Sequence, residues 1–300
     1  QNGYVTALVA KLLDTWTGKV KTITRLPSGK LPRNGDFDGL SFSQNDRYVV
    51  FDSSSTQMAP PGVSVDPDNI FSGGYVFRYD RITGKLMYPP VQALRDAAAS
   101  SSSDDYSYEG PEDGDSQSVS TRYPVVSADG SVVAFNVTVS GTSSGVALWH
   151  PNDGRVRFVR AADEAGIGTG ESLALSADGR FLANTGFGIV VVRLGESSEQ
   201  DQIAMCEWCG EGYVETVDLS ADGSRVAFLA PNPTESRSNT TLWVGDTGTG
   251  QVVNLPHPPE LPFLKPIRDI GGMASNRATI SGDGSLAGAA SRQPERRCGD

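Results

Sequence analysis

A chain of 300 residues with 38% apolar side chains can bury a sizeable core, and its 34 Gly and 18 Pro among short runs of Val, Phe and Tyr favour strands over helices. No stretch approaches the roughly 20 consecutive apolar residues of a membrane-spanning helix. The formal net charge of −11 argues against nucleic acid or an anionic membrane surface as partner, because both recruit cations.

In chain order, Leu12 to Val20 reads as a strand, an Asp14-x-x-Thr17-Gly18 turn and a second strand. Ser43 opens a different unit, with a turn at Asn45-Asp46 and the apolar strand Tyr48 to Phe51. Val76 to Tyr79 then runs into Asp80-x-x-Thr83-Gly84, which is the first pattern again. The second unit recurs at Ser127 with Asp129-Gly130 and Val132 to Phe135, and at Ser176 with Asp178-Gly179 and Phe181 to Ala183. Between them Ala147-Leu148-Trp149 precedes a looser turn, Asn152-Asp153-Gly154, with His150 in the place of the Asp. Ile189 to Arg193 is a strand whose turn has eroded. Asp218 to Phe228 is the cleanest copy of the serine unit, followed by Leu242 to Val244 and Asp246 to Gly250. Ser281, Asp283-Gly284 and Leu286 to Ala289 make a fifth copy. Asp suits such turns because it bonds nearby backbone, and Gly because it takes positive φ without Cβ strain.

Each repeat is thus two hairpins, or four antiparallel strands. The ends are complementary: Leu12 to Val20 is a second hairpin lacking its first, and Ser281 to Ala289 a first hairpin lacking its second. Pairing them would close a ring and remove exposed sheet edges. The Ser-Ala-Asp-Gly-x-x-Val-Ala-Phe unit resembles the TolB-type, WD40-like (PD40) β-propeller repeat family over nearly the whole chain. The expected fold is all-β, one domain over 1–300: a five-bladed propeller of four-stranded antiparallel blades, closed by the N-terminal strands completing the last blade. Six or more blades is the alternative. The Ala-, Ser- and acid-rich stretch at about 96–120 is expected as a loop insertion, and Pro256 to Pro266 as another.

Candidate sites fall where the repeat fails. Glu112, Asp113 and Asp115 cluster beside Gly, and Asp66, Asp68 and Asn69 precede a strand; both would suit Ca²⁺, while a solvated loop for the first and a structural turn for the second are the readings favoured. Cys206 and Cys209 lack the His of a haem site and the second pair of a zinc site, and are expected to form a local disulfide, leaving Cys298 over. Asn136 and Asn239 sit in Asn-x-Thr glycosylation tripeptides. Trp16 and Trp208 fall in turns, where partner contact is plausible, and Tyr106 and Tyr108 stand in the acidic insertion. Trp149 and Trp243 are taken to occupy equivalent strand positions and to pack between blades. His150 and His257 lie near no nucleophile motif, and no catalytic residue is assigned. A Gln at position 1 suggests either a removed leader or a trimmed chain, and the expectation is a secreted, periplasmic or cell-surface protein. The expected function is a non-catalytic, exported protein-binding or scaffold subunit. A lectin-like carbohydrate-binding propeller is the alternative, and a polysaccharide- or peptide-cleaving enzyme the third.

Overall fold

A computed structural model describes residues 9–26, 28–61, 63, 74–101, 118–140, 143–159, 172–185, 188–195, 201–204, 214, 216–231, 240–254 and 277–290. The chain forms two compact units, Gln1–Arg160 and Ala161–Asp300. Each is an array of antiparallel sheets laid down in chain order.

The first unit begins with a two-stranded sheet of β1 (Lys11–Leu13) and β2 (Val20–Thr22). It continues with the four-stranded sheet β3 (Phe37–Phe42), β4 (Tyr48–Ser53), β5 (Tyr75–Asp80) and β6 (Leu86–Met87). After helix α1 (Val91–Ser101) comes a second four-stranded sheet, β7 (Val119–Val126), β8 (Val133–Val139), β9 (Ser143–His150) and β10 (Arg155–Val159). The second unit repeats the scheme with β11 (Leu173–Leu175), β12 (Phe181–Thr185), β13 (Ile189–Arg193) and β14 (Asp201–Ala204). The sheet of β15 (Thr216–Leu219), β16 (Arg225–Pro231), β17 (Thr240–Asp246) and β18 (Val252–Asn254) follows, and β19 (Arg277–Ile280) pairs with β20 (Ala287–Ala290). Each of the four-stranded sheets is a meander in which sequence neighbours are ladder neighbours. The whole is an all-β fold of four-stranded blades with one helix among the described residues. The sheets β1–β2 and β19–β20 each remain two-stranded.

The second and third strands of the first unit's blades lack the alternation of a half-buried strand, whereas β17 keeps it over 242–246. Every residue of β4 and β5 is buried, because that blade is covered on both faces. In the first unit Phe51 and Phe77 stack at 5.6 Å and join Val133, Phe135 and Trp149 of the next blade in one core. In the second unit Val191, Val217, Phe228 and Trp243 do the same across two blades, and Leu229 meets Ala278 and Ile280 of the last sheet. Each such buried aromatic or aliphatic side chain contributes about 1.5–3 kcal/mol relative to exposure. The terminal half-sheets dock on these arrays: Ile23, just after β2, is 3% exposed in the core of the first unit and Leu12 packs against it.

Three features depart from expectation. The insertion expected as a loop from 96 starts inside α1 and ends, at 119–120, in β7; residues 102–117 lie outside the described set. Pro89-Pro90 stops the preceding strand, Pro90 accepts the Leu94 N–H at 3.1 Å, and Leu94 and Ala98 form a fully buried stripe one turn apart. Trp149 and Trp243 are both buried, but they are not equivalent: Trp149 directly precedes the turn residue His150, whereas Trp243 lies three before Asp246. Thirdly, β3 and β7 carry bulges at Gly39 (φ +58°) and Tyr123 (φ +53°), each four residues before the turn serine.

Candidate functional site

The meander sends both kinds of repeated turn to one end of each blade. At that end all five serine units make the same bonds. Ser43, Ser127, Ser176, Ser220 and Ser281 donate Oγ–H to the side-chain oxygen two residues on at 2.6–2.8 Å. The same Oγ accepts the N–H five residues on at 2.9–3.0 Å. The Asn45, Asp129, Asp178, Asp222 or Asp283 oxygen also accepts the N–H two residues beyond it at 2.9–3.0 Å. The fourth position of each unit is left-handed, Gly in four copies and Asp46 (φ +58°) in the other.

The second turn is equally uniform. Oδ1 of Asp14, Asp80 and Asp246 accepts two successive turn N–H groups at 2.9–3.2 Å. The turn closes when Gly18, Gly84 or Gly250 donates to the aspartate carbonyl at 2.7–2.9 Å. His150 keeps only the backbone part, accepting Gly154 N–H at 2.8 Å.

These bonds set the electrostatics. The Arg47 guanidinium, 2.8 Å from Asp80, and the turn N–H groups hold that carboxyl well below the usual carboxylate range. The Ser281 hydroxyl and Ser285 N–H bring Asp283 down to about 2. The turn N–H of Thr17 lowers Asp14, that of Ser224 lowers Asp222 and that of Thr249 lowers Asp246. Burial alone would raise Asp129 and Asp178, but hydrogen bonds outweigh it and both are lowered. His150 is lowered by burial and by Arg155. Carboxylates kept ionised and turned into their own backbone are poorly matched to proton transfer at neutral pH.

The turns also join neighbouring blades. Gly130 lies flat on the Tyr48 ring, Gly223 on Phe181 and Gly284 on the Arg225 stem, so a Cβ at any of them would collide. Backbone bonds link successive turns: Asn45 N–H to Ala128 O at 3.1 Å, Ala177 N–H to Ala221 O and Ala221 N–H to Gly282 O at 2.8 Å. Nearer the blade middle, Asp52 accepts the Tyr123 N–H at 2.9 Å, and Asp218 accepts Ile280 N–H and the Thr279 hydroxyl at 3.0 Å. Sequence reading missed Asp52 and Asp218 as bridges; their only signal was an acid inside an apolar strand.

Among the predicted site residues, Trp16 is 98% exposed at the tip of the Asp14 turn. Asn136 is 5% exposed and paired on both sides, with Arg122 and Val146, so the structure speaks against a glycan there. Tyr106, Tyr108, Trp208, Asp66, Asp68, Asn69, Glu112, Asp113, Asp115, Cys206, Cys209 and Asn239 lie outside the described residues, as does His257. Among the described residues no three His, Cys, Asp or Glu side chains gather as a metal set. No described helix is long and apolar enough to cross a membrane.

No protein-family model and no curated protein matches the sequence. In structure the chain is similar to an oligogalacturonate lyase from Vibrio parahaemolyticus, with a TM-score of 0.52 and 13% identity over 95% of this chain and 72% of that one. It is similar likewise to a TolB-like protein from Agrobacterium tumefaciens, with a TM-score of 0.50 and 13% identity over 96% and 79% of the two chains. The fold is that of the TolB-type β-propellers. At this identity the likeness concerns the fold alone.

Proposed function

We propose that the chain is a non-catalytic, exported propeller that binds another protein, or further copies of itself, through its surface turns and loops. The observation that carries this is the use of the repeated carboxylates: each is spent on its own turn, and what the turns display outward is recognition chemistry, foremost the exposed Trp16. The test is light scattering and quantitative cross-linking of the chain in its native compartment. A protein partner or an oligomer is expected; a partnerless monomer that turns over pooled polysaccharide or peptide substrates overturns the reading.

The fold proposal is a fifth blade assembled from β19–β20 and β1–β2, with six or more blades as the alternative. It is supported by the complementary turns, since β1–β2 carries the second turn alone and β19–β20 the first alone. Deleting residues 1–24 is expected to lower the stability of the whole chain, and a peptide of residues 1–26 added in trans to restore it. Unchanged stability after the deletion would count against closure.

A second reading, a carbohydrate-binding or polysaccharide-cleaving propeller, is favoured by one observation. Strand β3 exposes Leu40 (43%) and Phe42 (49%) next to β7, which carries Tyr123 at φ +53°. Saturable sugar binding abolished by Tyr123→Ala would move the assignment there. Calcium remains an addition to either reading, tested by mass spectrometry of the native chain with and without chelator.

A further inference from the structure

The protein is acidic, yet its first sheet is not. Lys11, Lys19, Lys21, Arg25, Lys30 and Arg33 stand in the first 33 residues against Asp14 alone, while the whole chain carries −11. The one acid is already committed to the N–H groups of Trp16 and Thr17. A positive surface therefore sits on a negative molecule.

On that surface two neighbouring turns present the same pair of side chains at the same repeat positions. Asp14-Thr15-Trp16-Thr17-Gly18-Lys19 shows Trp16 and Lys19; Asp80-Arg81-Ile82-Thr83-Gly84-Lys85 shows Ile82 and Lys85. Trp16 is 98% and Ile82 75% exposed, and both lysines are exposed. Identical turn hydrogen bonds hold both tips in one conformation, so presenting them costs little ordering on binding. The turns are adjacent: the Arg81 charge acts on Asp14, and Lys21 Nζ stands 5.3 Å from the Tyr79 ring centroid. Arg81 is in turn anchored to the turn end through a 2.6 Å bond to the Asp46 carbonyl. Among the described residues the corresponding tips of the His150 and Asp246 turns are Asn152 and Gly248, which lack the apolar and basic pairing. Single exposed apolar residues are ordinary on protein surfaces; two at equivalent tips, each with its own lysine, are not.

We propose that the paired turns Asp14–Lys19 and Asp80–Lys85 dock an acidic polypeptide segment bearing an apolar side chain, with Trp16 and Ile82 as the contact and Lys19, Arg81 and Lys85 as counter-charges. The partner is a protein segment because Trp, with basic side chains on the same turns, is a favoured anchor in protein interfaces. An anionic bilayer or a long nucleic acid would extend past this basic edge and meet the repulsion of the rest of an acidic chain, whereas a short acidic segment can be confined to the two turns. This rests on the protein-binding reading above and names its partner class.

The test uses the full chain on an array of 12-residue peptides in which acidic and apolar content vary independently, with fluorescence anisotropy on the peptides retained. Peptides that are both acidic and aromatic are expected to bind, and to weaken about tenfold as salt rises severalfold and the Debye length shrinks below about 10 Å. Trp16→Ser with Ile82→Ser is expected to lose about tenfold or more in affinity, the loss typical of removing an interface anchor. Lys19→Glu with Lys85→Glu should lose as much on acidic peptides and gain on their lysine counterparts. Thermal melting should stay at the native value in both, since these tips carry no packing. Retention of the same peptides by the Trp16 and Ile82 variant would overturn this surface while leaving protein binding in place. A native chain that binds no peptide overturns the surface and weakens the broader reading with it. Tighter binding to phosphatidylglycerol vesicles or to a single-stranded oligonucleotide than to any peptide would also overturn it.

Discussion

The joint between blades β3–β6 and β7–β10 and the joint between β11–β14 and β15–β18 do the same job with different chemistry. In both, a left-handed glycine lies flat on a ring from the preceding blade, Gly130 on Tyr48 and Gly223 on Phe181. In the first joint an arginine ties ring and glycine together: the Arg78 guanidinium lies 4.2 Å from the Tyr48 centroid and donates to the Gly130 carbonyl at 2.6 Å. In the second the corresponding Gly223 carbonyl is satisfied within its own blade by the Thr247 hydroxyl at 2.7 Å, and Phe181 is only half-buried. The flat glycine is common to both, and what holds the ring against it differs. The first joint is therefore expected to be the stiffer of the two.

The largest effect should come from adding one methyl at each joint. Gly130→Ala must accept left-handed strain of about 1–2 kcal/mol and an overpacking cost of about 1–3 kcal/mol against a buried ring packed on Arg78. A loss of about 4 kcal/mol is expected from urea denaturation. Gly223→Ala meets the same strain, but Phe181 can turn outwards, and the loss should be smaller by about 1 kcal/mol, within the scatter that site relaxation allows. Equal losses would mean that the two joints are equally stiff.

Removing the clamp is the next largest. Arg78 is 5% exposed, and Arg78→Met keeps its apolar stem while deleting the bond to Gly130 and the stacking on Tyr48. A charged hydrogen bond contributes about 1.5–3 kcal/mol, so a loss of about 2 kcal/mol is expected. The variant should also tolerate Gly130→Ala better than the native chain does, because Tyr48 is released. A double-mutant cycle with no coupling would show that Arg78 does not set the stiffness of the joint.

The hairpins of both joints were visible in the sequence because their signal is local: a serine, an acid and a glycine within four residues bond to one another. The five serine units proposed from the sequence all adopt one hydrogen-bonding pattern. The ladders follow too, since β13 spans Ile189–Arg193 as the eroded copy suggested. What was not visible is relational. Nothing in the neighbourhood of Gly130 announces that Tyr48, far back in the chain, will lie beneath it, nor that Asp52 will hold Tyr123. The helix was missed for a different reason: Val91, Leu94 and Ala98 repeat with helical period, but the Ser run and the acids beyond them dominate the composition. At the candidate site Trp16 was legible as a turn residue. That its turn stands next to that of Ile82 emerged only from the structure.

A glycine without a neighbour separates the two penalties that the joints combine. Gly18 has φ +68° and nothing within 4 Å of its missing Cβ. Gly18→Ala should therefore show backbone strain alone, about 1–2 kcal/mol. Subtracting it from the Gly130→Ala loss isolates the steric cost of the Tyr48 ring. A Gly18→Ala loss as large as that of Gly130→Ala would remove the ring from the explanation.

The smallest effect concerns the acid of the serine unit, where the chain already contains both alternatives. Asn45 takes the Ser43 hydroxyl at 2.7 Å and the Arg47 N–H at 3.0 Å, as Asp129 takes Ser127 and Ser131 at 2.8 and 2.9 Å. Asp129→Asn should then cost no more than about 0.5 kcal/mol at pH 7, the difference between charged and neutral acceptors near the surface. The two should part company in acid. Because the folded-state pKa of Asp129 is lowered, its proton is held more tightly by the unfolded chain. Its contribution is therefore fully present above the unfolded value of about 3.9 and is lost as pH falls through the lower folded value. Asn carries no such proton, so the native advantage should hold from pH 6 to about pH 4 and shrink as urea midpoints are followed into more acid solution. A difference between the two proteins that stays constant into that acid range would mean that the Asp129 charge contributes nothing to the turn, and that Ser127 and the left-handed Gly130 build it alone.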